Sequence, residues 1–129
     1  MPYNSDGTGF VKFGDGTNGG WFGIFSNKTV RIDGQVFAKE VKIQSNVWSD
    51  HVFREDYRLR SIAEVNEFIK TNNHLPDIPT EQEVKENGVD LGNMQAKLLQ
   101  KIEELTLYTI QQQEMIDKLN ARIELLEKK

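Results

Sequence analysis

Residues 98–126 read LLQKIEELTLYTIQQQEMIDKLNARIELL. From Leu98, the positions Ile102, Leu105, Thr109, Gln112, Ile116, Leu119, Ile123 and Leu126 follow at alternating spacings of four and three residues. All but Thr109 and Gln112 are apolar, which is the pattern of a heptad seam. Ile102, Thr109, Ile116 and Ile123 take the a positions, and Leu98, Leu105, Gln112, Leu119 and Leu126 take the d positions. Asp90 is the predicted N-cap of a helix running from there to the end of the chain, about 55 Å at the standard rise. A lone helix of this kind exposes its whole seam to water, so the pattern predicts a parallel coiled coil between copies of the chain. Ile at a with Leu at d favours two strands by the simple rule. Leu99, Tyr108 and Met115 add apolar groups at e and g and widen the face beyond a dimer seam. Thr109 and Gln112 form successive polar layers of the sort that fix register and chain number. A homotrimer is the expected assembly.

Working upstream, residues 48–89 carry two capping boxes. Ser61-Ile62-Ala63-Glu64 predicts a helix start, with Ile62, Val65, Phe68 and Ile69 on one face of a short helix. Asn72-Asn73-His74-Leu75-Pro76-Asp77-Ile78-Pro79 ends it, because each proline holds the chain extended. Thr80-Glu81-Gln82-Glu83 starts a second short helix, which Gly88 should terminate. Trp48 is predicted to pack as core against Phe53 and Tyr57.

Residues 1–47 differ in kind. All but two of the 10 glycines fall at or before Gly34, among short runs of β-formers. Phe10-Val11-Lys12-Phe13 is followed by the turn residues Gly14-Asp15-Gly16 and then by Trp21-Phe22-Gly23-Ile24-Phe25. Thr29-Val30-Arg31-Ile32 and Gln35-Val36-Phe37-Ala38 flank Asp33-Gly34, a two-residue hairpin signal, and Val41 and Ile43 continue the alternation. Strands this short and glycine-broken are weak alone and gain from edges supplied by other chains. The expected fold class is α+β: a glycine-rich β segment over 1–47, a compact helical connector over 48–89 and a coiled-coil helix over 90–129.

Composition narrows the function classes. With 37% hydrophobic and 28% charged residues, 129 residues suit a chain that completes its core with copies of itself. A net charge of −4 without a basic stripe gives no electrostatic footprint for nucleic acid. The absence of cysteine removes disulfides and thiolate metal sites. No run has the apolar length of a membrane span, so no membrane insertion is expected. The opening Met1-Pro2-Tyr3-Asn4-Ser5-Asp6 shows no basic-then-apolar leader and is compatible with a start inside a longer protein.

Chemistry-bearing residues are sparse. His51 and His74 are the only histidines, too few for a histidine-rich metal site within one chain. His74 is expected to serve the turn before Leu75-Pro76. Glu103, Glu104, Glu124 and Glu127 alternate with lysines and are expected to be solvated coil charges. Asp6, Asp15 and Asp33 sit beside glycines as turn formers. Asp15-Gly16-Thr17-Asn18 is too sparse for a calcium loop, and Gly14-x-Gly16-x-x-Gly19 lacks the following helix of a phosphate loop. No cofactor and no catalytic set is expected. Trp21, Phe22 and Phe25 are the candidate ligand-binding residues, as a platform for glycan stacking, beside the plainer role of a shared β core.

Trp48-Ser49-Asp50-His51-Val52-Phe53 and Asp56-Tyr57-Arg58-Leu59 resemble the opening of a C-terminal module found in many bacterial and prophage tail-fibre-like proteins. The likeness runs on through Glu64-Val65, Phe68-Ile69-Lys70, His74-Leu75-Pro76, Ile78-Pro79, Glu83-Val84, Gly88 and Leu91-Gly92. It continues in Met94, Lys97-Leu98-Leu99 and Lys101-Ile102-Glu103-Glu104-Leu105-Thr106-Leu107-Tyr108, covering about residues 34–129. The resemblance implies the distal, trimer-forming end of a fibre on a virion or a cell surface, with a surface glycan or protein as receptor. More loosely, the arrangement is similar to the intramolecular chaperone domains of phage tailspikes, many of which cut themselves at a Ser-Asp step. That second likeness implies Ser49 as nucleophile at Ser49-Asp50, with His51 as base only if the backbone folds it back.

Overall fold

The computed structural model describes residues 10–13, 21–25, 27–44, 48 and 50–129. The expected turn at Gly14-Asp15-Gly16, the segment Asp15–Asn18 set aside as a calcium loop, the acidic residue Asp6 and the candidate nucleophile Ser49 lie outside the described residues. The chain divides into two compact units, Met1–Lys42 and Ile43–Lys129.

The first unit holds a three-stranded antiparallel meander of β1 (Phe10–Phe13), β2 (Trp21–Phe25) and β3 (Val30–Asp33), in that spatial order. Phe13 pairs with Phe22, which pairs in turn with Ile32; Val11 pairs with Ile24, and Ile24 with Val30. Strand alternation therefore places positions 11, 13, 22, 24, 30 and 32 on one face of the sheet, and every one of them is apolar. Lys28 bends the β2–β3 connection at φ 65°, and the Thr29 amide donates to Asn27 Oδ1 at 3.2 Å.

The hairpin expected at Asp33-Gly34 does not form. β3 ends at Asp33, residues 34–44 carry no strand, and Gly34 lacks the positive φ that a type I′ turn needs at both central residues. β3 is paired by β2 instead, and Phe37, meant to return the chain, is 91% exposed. Val36, Val41 and Ile43 are exposed as well.

The second unit is helical: α1 (Ile62–Asn72), α2 (Glu81–Asn87) and α3 (Leu91–Glu127). Local chemistry sets each boundary. Ser61 and Thr80 each accept from the backbone of the glutamate three residues on, and Glu64 and Glu83 return to the cap amides at 2.7 Å. Those cap hydrogen bonds hold both carboxyls below the ordinary carboxylate range. Asn73 closes α1 in the left-handed conformation at φ 58°, its amide reaching Ile69 O at 2.8 Å. Gly88 closes α2 at φ 73°, ψ −173°, a region open to glycine almost alone. Asp90 caps α3 through Asn93 N at 2.9 Å, and the helix then runs 37 residues. Among the described residues, no helix is long and apolar enough to cross a membrane.

The core of this unit is thin. Val52, Pro76, Ala96 and Tyr108 are buried, and Val65 and Phe68 of α1 are half-buried. Ile62 and Ile69, expected on the same inner face of α1, are exposed. Trp48 does not join the core either: it is 67% exposed, and Phe53 is exposed beside it.

Gly88→Ala should cost about 1–3 kcal/mol, because alanine gains strain at that φ, ψ pair whatever the space around it. Gly34→Ala should be close to neutral, since its backbone has no positive φ and an added methyl meets nothing within 4 Å. Urea or thermal unfolding of the two variants checks the pair of outcomes.

Candidate functional site

α3 presents two unlike faces, and they define the site. Leu98, Ile102, Leu105, Ile116, Leu119, Ile123 and Leu126 are all between 48% and 64% exposed in the single chain. Thr109 and Gln112, which interrupt the series, are exposed too. One continuous helix carries all nine positions, so the spacing read from the sequence becomes one apolar stripe along its length.

The other face is taken by the connector. Ala96, Glu104 and Tyr108 are the buried residues of α3, spaced four and eight residues apart along one side. Tyr108 Oη donates to Arg60 O at 2.7 Å. The Tyr108 ring, counted in the sequence towards a wide coiled-coil face, is therefore already covered within its own chain. The width of the seam falls to the a and d positions with Leu99, half-buried, and Met115, exposed.

A polar network ties connector to helix. Tyr57 Oη donates to Glu104, and Gln100 Nε2 donates to both Tyr57 Oη and Glu104 Oε1 at 3.2 Å. Lys101 Nζ bridges Glu104 Oε2 at 2.9 Å and Asp77 Oδ2 at 3.0 Å. Arg60 completes the chain of contacts on Asp77, at 2.8 and 3.4 Å. Asp77 stands in the left-handed region at φ 67°, a conformation that Asp tolerates and that the two cations hold in place.

Electrostatics follow from these contacts. The Arg60 guanidinium, helped by Lys101, pulls the Asp77 carboxyl down to about 2 despite some burial. Burial pushes the Glu104 carboxyl up, but donation from Tyr57, Lys101 and Gln100 outweighs it and leaves it below the ordinary range. Burial, reinforced by the Glu104 hydrogen bond, raises the Tyr57 phenol to about 12. These groups are locked in one protonation state around neutrality, which suits an anchor more than proton transfer. An open cleft of about 590 Å³ borders the network, lined by Tyr57, Arg58, Arg60, Glu64, Phe68, Asp77 and Gln100.

The network was not foreseen. Glu104 was expected in solvent and is instead 8% exposed. The one signal for it is that Gln100, Lys101, Glu104 and Tyr108 lie three and four residues apart along one helix side. His74 serves its turn as expected, with Nδ1 at 2.9 Å from Leu75 O and its ring edge-on to Phe68 at 5.3 Å. His51 lies edge-on to Tyr57 at 5.5 Å, and Asp50 is exposed. The stacking platform is divided by the strand: positions 21 and 25 of β2 fall on one face and position 22 on the other. Among the described residues, no group of three or more His, Asp or Glu is placed to hold a metal ion.

Because both carboxyl pKa values are depressed by folding, their contribution is complete above about pH 4 and is lost as pH falls towards 2. The thermal midpoint should drop over that window, and Asp77→Asn should flatten the drop. Tyr57→Phe, which leaves the Glu104 carboxylate short of a donor, should cost about 1–3 kcal/mol at pH 7 by urea unfolding.

No protein-family model, curated protein or solved structure matches this chain.

Proposed function

We propose that this chain is the distal, oligomer-forming end of a tail-fibre-like appendage on a virion or cell surface, acting as a structural and interaction protein and not as an enzyme. Three copies associate in parallel through the α3 seam, and the seam sets the registration of everything upstream of it. The carrying observation is the open stripe from Leu98 to Leu126, exposed along a helix whose other side is occupied as far as Tyr108. Seven large aliphatic side chains in water are a strong drive to associate, each worth on the order of 1 kcal/mol when its exposed half is covered.

The polar layers Thr109 and Gln112 support a defined chain number, since a purely apolar seam discriminates poorly among oligomers. The resemblance of residues 34–129 to tail-fibre endings gives the assembly its context. The β unit then continues a shaft or presents a surface to a glycan or protein receptor. Its apolar face at positions 11, 13, 22, 24, 30 and 32 suits burial among strands of neighbouring copies.

Light scattering of the purified chain should return three times its 14.8 kDa mass. Ile116→Asp sets one carboxylate per chain into the seam and should return the mass to a single chain, whereas Lys118→Ala, off the seam, should leave the trimer intact. A wild-type monomer contradicts the proposal. So does an Ile116→Asp variant that remains trimeric.

A further inference from the structure

We propose that the cleft beside the Tyr57–Glu104 network binds a neutral sugar ring of a surface glycan. This deepens the receptor-binding part of the function proposed above, placing the glycan on the helical unit, and it does not depend on the number of chains.

The cleft measures about 590 Å³, inside the range of small-molecule sites, about 300–1,000 Å³. Its walls are held before any ligand arrives. Glu64 is fixed by the bond from Ser61 N at 2.7 Å, and Asp77 by Arg60 and Lys101. Gln100 is fixed by its donation to Tyr57 Oη and Glu104 Oε1. Tyr57 and Phe68 supply two aromatic rings, and each has a histidine ring set edge-on against it, His51 at 5.5 Å and His74 at 5.3 Å. Arg58 is the loosely held member, its side chain 88% exposed and 3.5 Å from Glu64 Oε1. Walls fixed in advance spare a ligand much of the ordering cost of binding.

What these groups still lack decides the ligand class. Among the described residues, Gln100 Oε1 takes no donor, Asp77 Oδ1 has only the 3.4 Å contact from Arg60, and Glu64 Oε1 only that from Arg58. Three acceptors with spare capacity call for a ligand rich in donors, and Arg58 offers N–H groups in return. A simple anion brings no donors to those three oxygens. A simple cation finds its attraction cancelled, because the guanidiniums of Arg58 and Arg60 match the carboxylates of Glu64 and Asp77. Hydroxyls donate and accept without charge, and a pyranose carries several of them around a ring with an apolar C–H face. That face suits Tyr57 and Phe68.

The position suits a receptor site as well. Gln100 takes heptad position f, opposite a and d, so the cleft borders the outer side of α3 and stays open when the proposed seam closes. Trp21, Phe22 and Phe25, by contrast, are divided between the two faces of β2.

The test titrates the full chain with the methyl glycosides of glucose, galactose, mannose and N-acetylglucosamine. Methyl glucuronide and methylamine serve as anionic and cationic probes at the same ionic strength. The readout is the Gln100 side-chain amide signal in nitrogen–proton correlation spectra, with mass by light scattering on the same samples. At least one neutral glycoside should shift that signal saturably, and both charged probes should leave it in place. Arg58→Ala removes an exposed side chain, so it should melt as wild type does and bind that glycoside about ten-fold more weakly. Phe68→Leu keeps apolar bulk without the ring and should also weaken binding, whereas Lys118→Ala should bind normally. No shift with any neutral glycoside, a larger shift with a charged probe, or full binding by Arg58→Ala overturns the sugar site. A trimer that fails in this way leaves the assembly proposal standing, and a monomer that binds the glycoside keeps the site and sinks the trimer.

Discussion

One helix with two sides to cover, in a chain that can cover only one, is the constraint on which everything else depends. α3 spans 37 residues and carries both the heptad stripe and the Ala96–Glu104–Tyr108 side. The connector reaches the second side and stops there. Beyond Tyr108 every residue of α3 is exposed, so its last five turns have no cover within the chain. A helix left this bare is poorly stable in water by itself, because tertiary packing supplies most helical stability. Self-association, as proposed, would cover the stripe and the bare turns with the same contact.

The connector's grip on α3 is polar where a larger domain would use apolar bulk. Few side chains are fully buried, and the network from Tyr57 through Glu104, Lys101 and Asp77 to Arg60 holds the two parts in register. Such networks add little net stability but penalise alternatives, since a shift leaves a part-buried charge without its partner. That property fits a connector whose task is orientation: it fixes how the chain enters the helix while leaving the seam free. Tyr108, covered within its own chain, adds no width to the proposed seam, which puts more weight on the polar layers in the proposed choice of chain number.

The features legible in the sequence are those whose cause is local or periodic. Both capping boxes, the Asp90 cap, the Gly88 stop and the helical continuity of residues 98–126 each follow from residues within a turn or on one repeat. The network was invisible for the opposite reason: Tyr57 and Glu104 are 47 residues apart, and Arg60 and Asp77 are 17 apart. A Glu on a charged helix looks solvated until its partner is known. Asp33-Gly34 does not form the turn because its backbone lacks the positive φ that a type I′ turn needs, so the chain runs on from β3 and leaves it as an edge strand. Trp48 was expected to pack against Phe53 and Tyr57, but Phe53 is itself exposed and leaves Trp48 exposed with it.

Parallel, in-register contact along the seam is the central claim, and the lack of cysteine makes it directly measurable. A single spin label on Leu119→Cys reports the distance between equivalent positions by pulsed electron paramagnetic resonance. The account predicts one narrow, short distance, with labels clustered around the axis, and a longer one for a label on Lys118→Cys facing outward. A broad or long distance at position 119, or no dipolar coupling at all, would contradict it.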